Sequence, residues 1–168
     1  RIGIEAKNIR EWVYPQRLEI KELLQKGLSA NAIPVLIARR VPYVTIRLMT
    51  ACGMMIFQNF SQLYPTADAE LAAAVREKTD LGYHDVRVGN TPGAHLQNFL
   101  SASITADAPE YRDRFERHKD LLLDFSTGEM SYASFAARVR RREQGQPEDS
   151  DEPQEPDFNP DDIDPHWR

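Results

Sequence analysis

Glu5 and Lys7 are the residues whose types and spacing invite chemistry. Apolar and polar residues alternate along Ile2-Gly3-Ile4-Glu5-Ala6-Lys7, and in a strand every second side chain projects to the same face. A carboxylate and an ammonium then stand side by side on a short, stiff element. Ile2, Ile4 and Ala6 share the other face, which is expected to pack against a helix. Such a carboxylate can hold Mg²⁺, which keeps several waters and takes only one or two protein carboxylates. The metal acidifies a bound water, and the neighbouring lysine orients that water or meets the negative charge that develops on phosphate. Glu5 and Lys7 do not complete such a site, because a second carboxylate from another strand is needed. They also read as a solvated surface pair.

The elements around this pair follow an alternating pattern. After a loop over Asn8–Tyr14, Pro15 suits the first turn of a helix. Ile20, Leu23, Leu24 and Leu28 recur at helical spacing through Gln16–Lys26, and Gly27 is expected to stop that helix. The run Ala32-Ile33-Pro34-Val35-Leu36-Ile37-Ala38 reads as a strand buried on both faces, with Pro34 near its start. Strand, helix and strand make one crossover, so residues 2–7 and 33–38 are expected to be parallel neighbours. A helix over Pro42–Cys52 and a strand over Met54–Gln58 follow. Further helices are expected over Ala67–Thr79, Ala94–Ser103, Pro109–Phe125 and Glu129–Arg142, with a strand over Tyr83–Val88.

Placed in this order, Ile4-Glu5-Ala6-Lys7 resembles the E-x-K half of the PD-(D/E)xK nuclease signature. The strand, helix and apolar strand over residues 1–40 are similar to the second half of that superfamily's core. The resemblance implies an α/β fold with a partial restriction-endonuclease-like core, followed by a mostly helical C-terminal region and a disordered acidic tail. It implies a metal-dependent DNA endonuclease using Mg²⁺ or Mn²⁺, with Glu5 as metal ligand and Lys7 as the charge-stabilising group. Gln16 corresponds to a helix-start residue that some members place near the scissile phosphate, and is the third catalytic candidate. The family's preceding-strand acidic ligand has no counterpart here. Because strand-like sequence starts directly at Arg1, residues upstream are expected to belong to the same protein, and the chain alone is expected to be inactive.

Three arginines are candidates for phosphate contact. Arg10 lies in the loop after the first strand, and Arg39 and Arg40 end the apolar strand at the edge where α/β sheets bind ligands. Trp12 and Tyr14 suit either base stacking or packing of the loop over the core. The group Arg138, Arg140, Arg141 and Arg142 suits the negative end of a helix. His84, Asp85 and His95 lack an identifiable further ligand for a metal site.

Composition narrows the remainder. With 168 residues, 41% apolar and 28% charged, the chain has an ordinary globular mix. It has no run approaching the roughly 18 apolar residues of a membrane helix, so no membrane partner is expected. The single cysteine, Cys52, excludes an internal disulfide and multi-cysteine zinc sites, fits a buried structural thiol, and favours a cytoplasmic location. Residues 1–142 carry 20 Lys+Arg against 16 Asp+Glu, or +4, whereas residues 143–168 carry one Arg against ten Asp+Glu, or −9. Three segments follow: a nuclease-like core over 1–65, a helical region over 66–142, and an acidic tail over 143–168 that is expected to contact the chain's own basic surface or a basic protein. DNA is the expected partner, and a homodimer is compatible with the sequence. The competing class is a non-catalytic protein-interaction or DNA-binding module with an acidic tail.

Overall fold

The structure is a computed structural model, and it describes residues 1–77 and 81–147. Most of the acidic tail, residues 148–168, lies outside the described residues, as do its expected disorder and its contacts with basic surfaces.

The chain is an α/β structure. Strand β1 (Ile2–Lys7) pairs parallel with β2 (Ile33–Ala38), Ile2 opposite Ile33 and Lys7 opposite Ala38, and β2 pairs parallel with β3 (Met55–Gln58). The expected crossover is therefore present. Pro34 is tolerated in the central strand because β3 joins it only from Val35 onward, so no β3 bond needs a Pro34 N–H.

Helix α1 (Leu18–Ala30) connects β1 to β2 and buries Ile20, Leu23, Leu24 and Gly27. Its ends differ from the sequence expectation. Arg17 is extended (φ −66°, ψ 148°), so Pro15 and Gln16 precede the helix instead of opening it. Gly27 does not stop it either. It lies inside α1, where an added Cβ would stand 3.0 Å from the Ala32 carbonyl oxygen and 3.4 Å from Pro34 Cδ. The glycine lets the helix lie close to the start of β2. The stop is Asn31, in the left-handed region at φ 48°, which asparagine tolerates better than most side chains.

Helix α2 (Tyr43–Ala51) connects β2 to β3, and both crossover helices contribute to one core with Leu36, Ala38 and Met54. Cys52 is buried in that core, and burial raises its thiol pKa, in keeping with a structural role. A second, two-stranded parallel sheet pairs β4 (Gln62–Tyr64) with β5 (Val86–Val88). Between them α3 (Ala69–Arg76) follows a single 3₁₀ turn, and the part of its expected range over residues 78–79 lies outside the described residues.

The C-terminal helices break where the sequence did not indicate. Helical backbone runs from α4 (Ala94–Asn98) through a π segment (Phe99–Ser103) into α5 (Ile104–Arg117), with Pro109 inside the helix. The break falls at His118 (φ −107°, ψ 10°), before α6 (Lys119–Thr127). Gly128 turns the chain into α7 (Tyr132–Glu143), capped by Ser131, whose hydroxyl accepts from the Ser134 N–H at 3.2 Å. Arg142 forks onto Asp120 at 2.7 and 2.8 Å, tying α7 to α6.

Residues on both sides of position 65 contribute to one buried cluster. Phe115, Phe125, Phe135 and Val139 lie in the same buried cluster as Val13, Ile20 and Leu36. The Phe125 and Phe135 rings stack at 4.3 Å, and Gln25 of α1 donates to the Ser126 carbonyl of α6 at 2.8 Å.

His118 is fully buried among these helices, its Nδ1 3.0 Å from the Arg114 carbonyl oxygen and its Nε2 3.5 Å from Glu143 Oε1. Burial pushes its pKa below the ordinary imidazole value, and the hydrogen bond to Arg114 and the Glu143 charge only partly oppose this. The unfolded chain therefore takes up a proton near pH 6.5, while the folded chain does so only at lower pH. Stability is expected to fall as pH drops below about 6.5. Urea titrations between neutral and mildly acid pH check this, and His118→Leu should flatten the slope over that interval. An unchanged slope in the variant would assign the effect elsewhere.

Candidate functional site

Glu5 and Lys7 share one face of β1, as alternation requires, and Lys7 Nζ lies 2.6 Å from Glu5 Oε1. The other carboxylate oxygen accepts from Lys26 of α1 at 2.8 Å. Burial alone raises the Glu5 pKa, but the hydrogen bonds from Lys26 and Lys7 outweigh it and hold the carboxyl below its ordinary value. The bond to Glu5 raises the Lys7 pKa, and the charges of Glu22 and Glu19 on α1 act in the same direction. At neutral pH the pair is a carboxylate beside an ammonium.

The expectation for the two faces of β1 is reversed. The face with Gly3, Glu5 and Lys7 lies toward α1, while Ile2, Ile4 and Ala6 are exposed, Ile4 at 52%. The register explains this. Glu5 stands opposite Leu36, which belongs to the core under α1, whereas Ile4 stands opposite Val35, which packs on the other side with Met55 and Ile104. Phe99, Ala108 and Tyr111 cover that side over β2 and β3, yet Ile4 remains exposed.

Gln16 is exposed in the turn before α1. The polar contacts at that turn belong to Arg17, which bonds Glu11 at 2.6 Å and Glu19 at 3.0 and 3.1 Å and holds the Glu19 carboxyl near a pKa of about 2. The placement of Gln16 in the first helical turn is thus corrected, and no hydrogen bond joins it to Glu5 or Lys7 among the described residues.

Arg10, Arg39 and Arg40 come together beyond the C-terminal ends of β1 and β2, where they line one cleft. Arg10 donates to both Asp85 oxygens, at 3.0 and 3.1 Å, and to Gln62 at 3.2 Å. Arg39 also pairs with Asp85, and it donates to Gln62 at 2.9 Å and Asn8 at 3.3 Å. The Arg10 guanidinium lies 3.4 Å from the centroid of the Tyr83 ring. Burial lowers the Arg39 pKa, and repulsion from Arg10 and Arg40 lowers it further. Arg40 is exposed. A hollow of about 150 Å³ whose wall includes both Lys7 and Arg39 adjoins this group.

Phe60, Gln62 and Tyr83 escaped the sequence reading, and Asp85 was weighed only as a metal ligand. Phe60 and Gln62 come from the start of β4 and the segment before it, Tyr83 and Asp85 from the segment before β5, so no spacing local to Arg10, Arg39 and Arg40 signals them. His84 also lines the cleft, but among the described residues no set of three His, Cys, Asp or Glu side chains converges as a metal site. Glu5 is one carboxylate with both oxygens held by ammonium groups, so the described residues do not by themselves fit Mg²⁺ or Mn²⁺. Among the described residues, no helix is long and apolar enough to cross a membrane.

Comparison with protein-family models, with curated proteins and with solved structures finds no match to this chain. What these residues can do follows from their own chemistry and placement.

Proposed function

We propose that this chain is a nuclease-fold protein that acts on DNA, with Glu5 and Lys7 contributing to a PD-(D/E)xK-type site. The observation that carries this reading is the Glu5–Lys7 pair on one face of a strand that runs parallel to its crossover partner. Glu5 fixes the Lys7 ammonium on a stiff element, where it can meet charge on a phosphoryl oxygen. Arg10, Arg39 and Arg40 add positive charge at the end of the same sheet, suited to a phosphate backbone. Hydrolysis assisted by Mg²⁺ or Mn²⁺ would need a further carboxylate beside Glu5, since the described residues supply none.

A second reading, DNA binding without cleavage, is favoured by the two ammonium groups that already occupy both Glu5 oxygens. One experiment separates the two. On the first reading the protein is expected to cleave DNA with Mg²⁺ or Mn²⁺ and to stop in chelator, and Glu5→Gln is expected to remove cleavage while leaving binding in place. Binding without cleavage under either metal supports the second reading. Neither binding nor cleavage would sink both.

A further inference from the structure

Where the three parallel strands end, aromatic side chains and a carboxylate gather around the arginines already assigned to phosphate. Trp12 comes from the loop after β1, Arg39 and Arg40 from the end of β2, Phe60 from beyond β3, and Asp85 from just before β5. With Arg10 they line a cleft of about 560 Å³, within the range of small-ligand sites. Three guanidiniums against one carboxylate leave it a net +2. Trp12 is 38% exposed and Phe60 52% exposed, so aromatic surface borders that charge. Such surface beside guanidiniums fits a flat ring attached to an anion.

We propose that this cleft takes an unpaired nucleotide of a DNA strand, its base against Trp12 and Phe60 and its phosphate on Arg40 and Arg10. This rests on the DNA reading above and narrows its substrate to DNA with a single-stranded segment. A duplex keeps its bases stacked and offers the cleft its phosphates alone. Asp85 holds Arg10 through both oxygens and also pairs with Arg39, so an entering phosphate must compete with a carboxylate already in place. Removing that charge should strengthen binding, whereas removing Arg40 should weaken it. A purely structural cluster would not show those opposite signs.

The test is equilibrium binding of the full chain, followed by fluorescence anisotropy in chelator, to a short labelled oligothymidylate and to a blunt hairpin duplex. Trp12→Leu and Phe60→Leu keep apolar bulk and remove the aromatic face. Each is expected to weaken oligothymidylate binding about tenfold while changing duplex binding by less than about twofold. Asp85→Asn is expected to tighten binding of the single strand. Equal losses on both DNAs, or no loss in variants whose circular dichroism matches the parent, would overturn the proposal. No metal or cleavage enters the measurement. Selective single-strand binding by a protein that never cleaves therefore sustains this proposal and removes only the nuclease assignment.

Discussion

Gly53→Ala is expected to destabilise the protein by about 3–5 kcal/mol, combining left-handed backbone strain with overpacking. Gly53 links α2 to β3 at φ +84°, where a side chain is strained whatever the space around it. An added Cβ would also lie 2.4 Å from both the Phe115 backbone nitrogen and the Tyr111 carbonyl oxygen, and 2.8 Å from Phe115 Cα. These are backbone atoms of α5, so no side-chain rotation relieves the contact, and either α5 or the turn into β3 must shift. Domains commonly have about 5–15 kcal/mol of stability in total, so this loss is a large share of it. Gly128→Ala is the matched control, with φ +92° and nothing within 4 Å of its added Cβ. It should cost only about 1–2 kcal/mol, the backbone part alone. Urea midpoints of the two variants measure the difference. Similar losses would mean that α5 does not press on this turn.

On the proposed nuclease reading, Lys7→Ala is expected to lower DNA cleavage about 10²–10³-fold, as loss of one charge-stabilising group does at comparable sites. Lys26→Ala should leave cleavage within about threefold of the parent, because most of the Lys26 side chain is exposed and solvent screens its charge. Both ammoniums touch Glu5, at 2.6 and 2.8 Å, so the contrast isolates position from charge. Lys7 shares a stiff strand with Glu5, whereas Lys26 reaches over from α1 with 62% of its side chain exposed. Thermal melts of both variants should stay near the parent. Single-turnover rates that fall equally in the two variants, or in neither, would remove Lys7 from the chemistry and leave an ordinary ion pair.

The crossover over residues 2–38 was legible because it rests on local signals: alternation in β1, helical spacing in α1 and unbroken burial in β2. The parallel pairing followed from the connection alone. Helix ends were less legible, since they depend on neighbours. Gly27 looks like a stop in sequence, but its lack of a side chain serves the approach of α1 to Pro34, and Asn31 ends the helix. Pro109 looks like a start, yet it sits inside a helical run that packs Ile104 and Phe115 into the core. The buried face of β1 was misjudged because hydrophobicity within one strand cannot reveal the side on which the crossover helix lies. In the candidate site, Arg10, Arg39 and Arg40 were visible as charges near strand ends. Asp85, Gln62 and Tyr83 were not linked to them, because residues some 20–75 positions away meet only through β4 and β5.

The stacked pair of Phe125 and Phe135 gives the two halves of the chain a shared fate. Those rings lie in one buried cluster with Ile20 of α1 and with Leu36 of β2, the residue opposite Glu5. Opening α6 and α7 would expose the underside of α1, so amide protons in β2 and in α7 should exchange with solvent through the same cooperative event. Any ligand that tightens the far end of the sheet would then slow exchange in the C-terminal helices without touching them. A lesion in α7 would correspondingly lower occupancy at the sheet by depleting the folded population that binds.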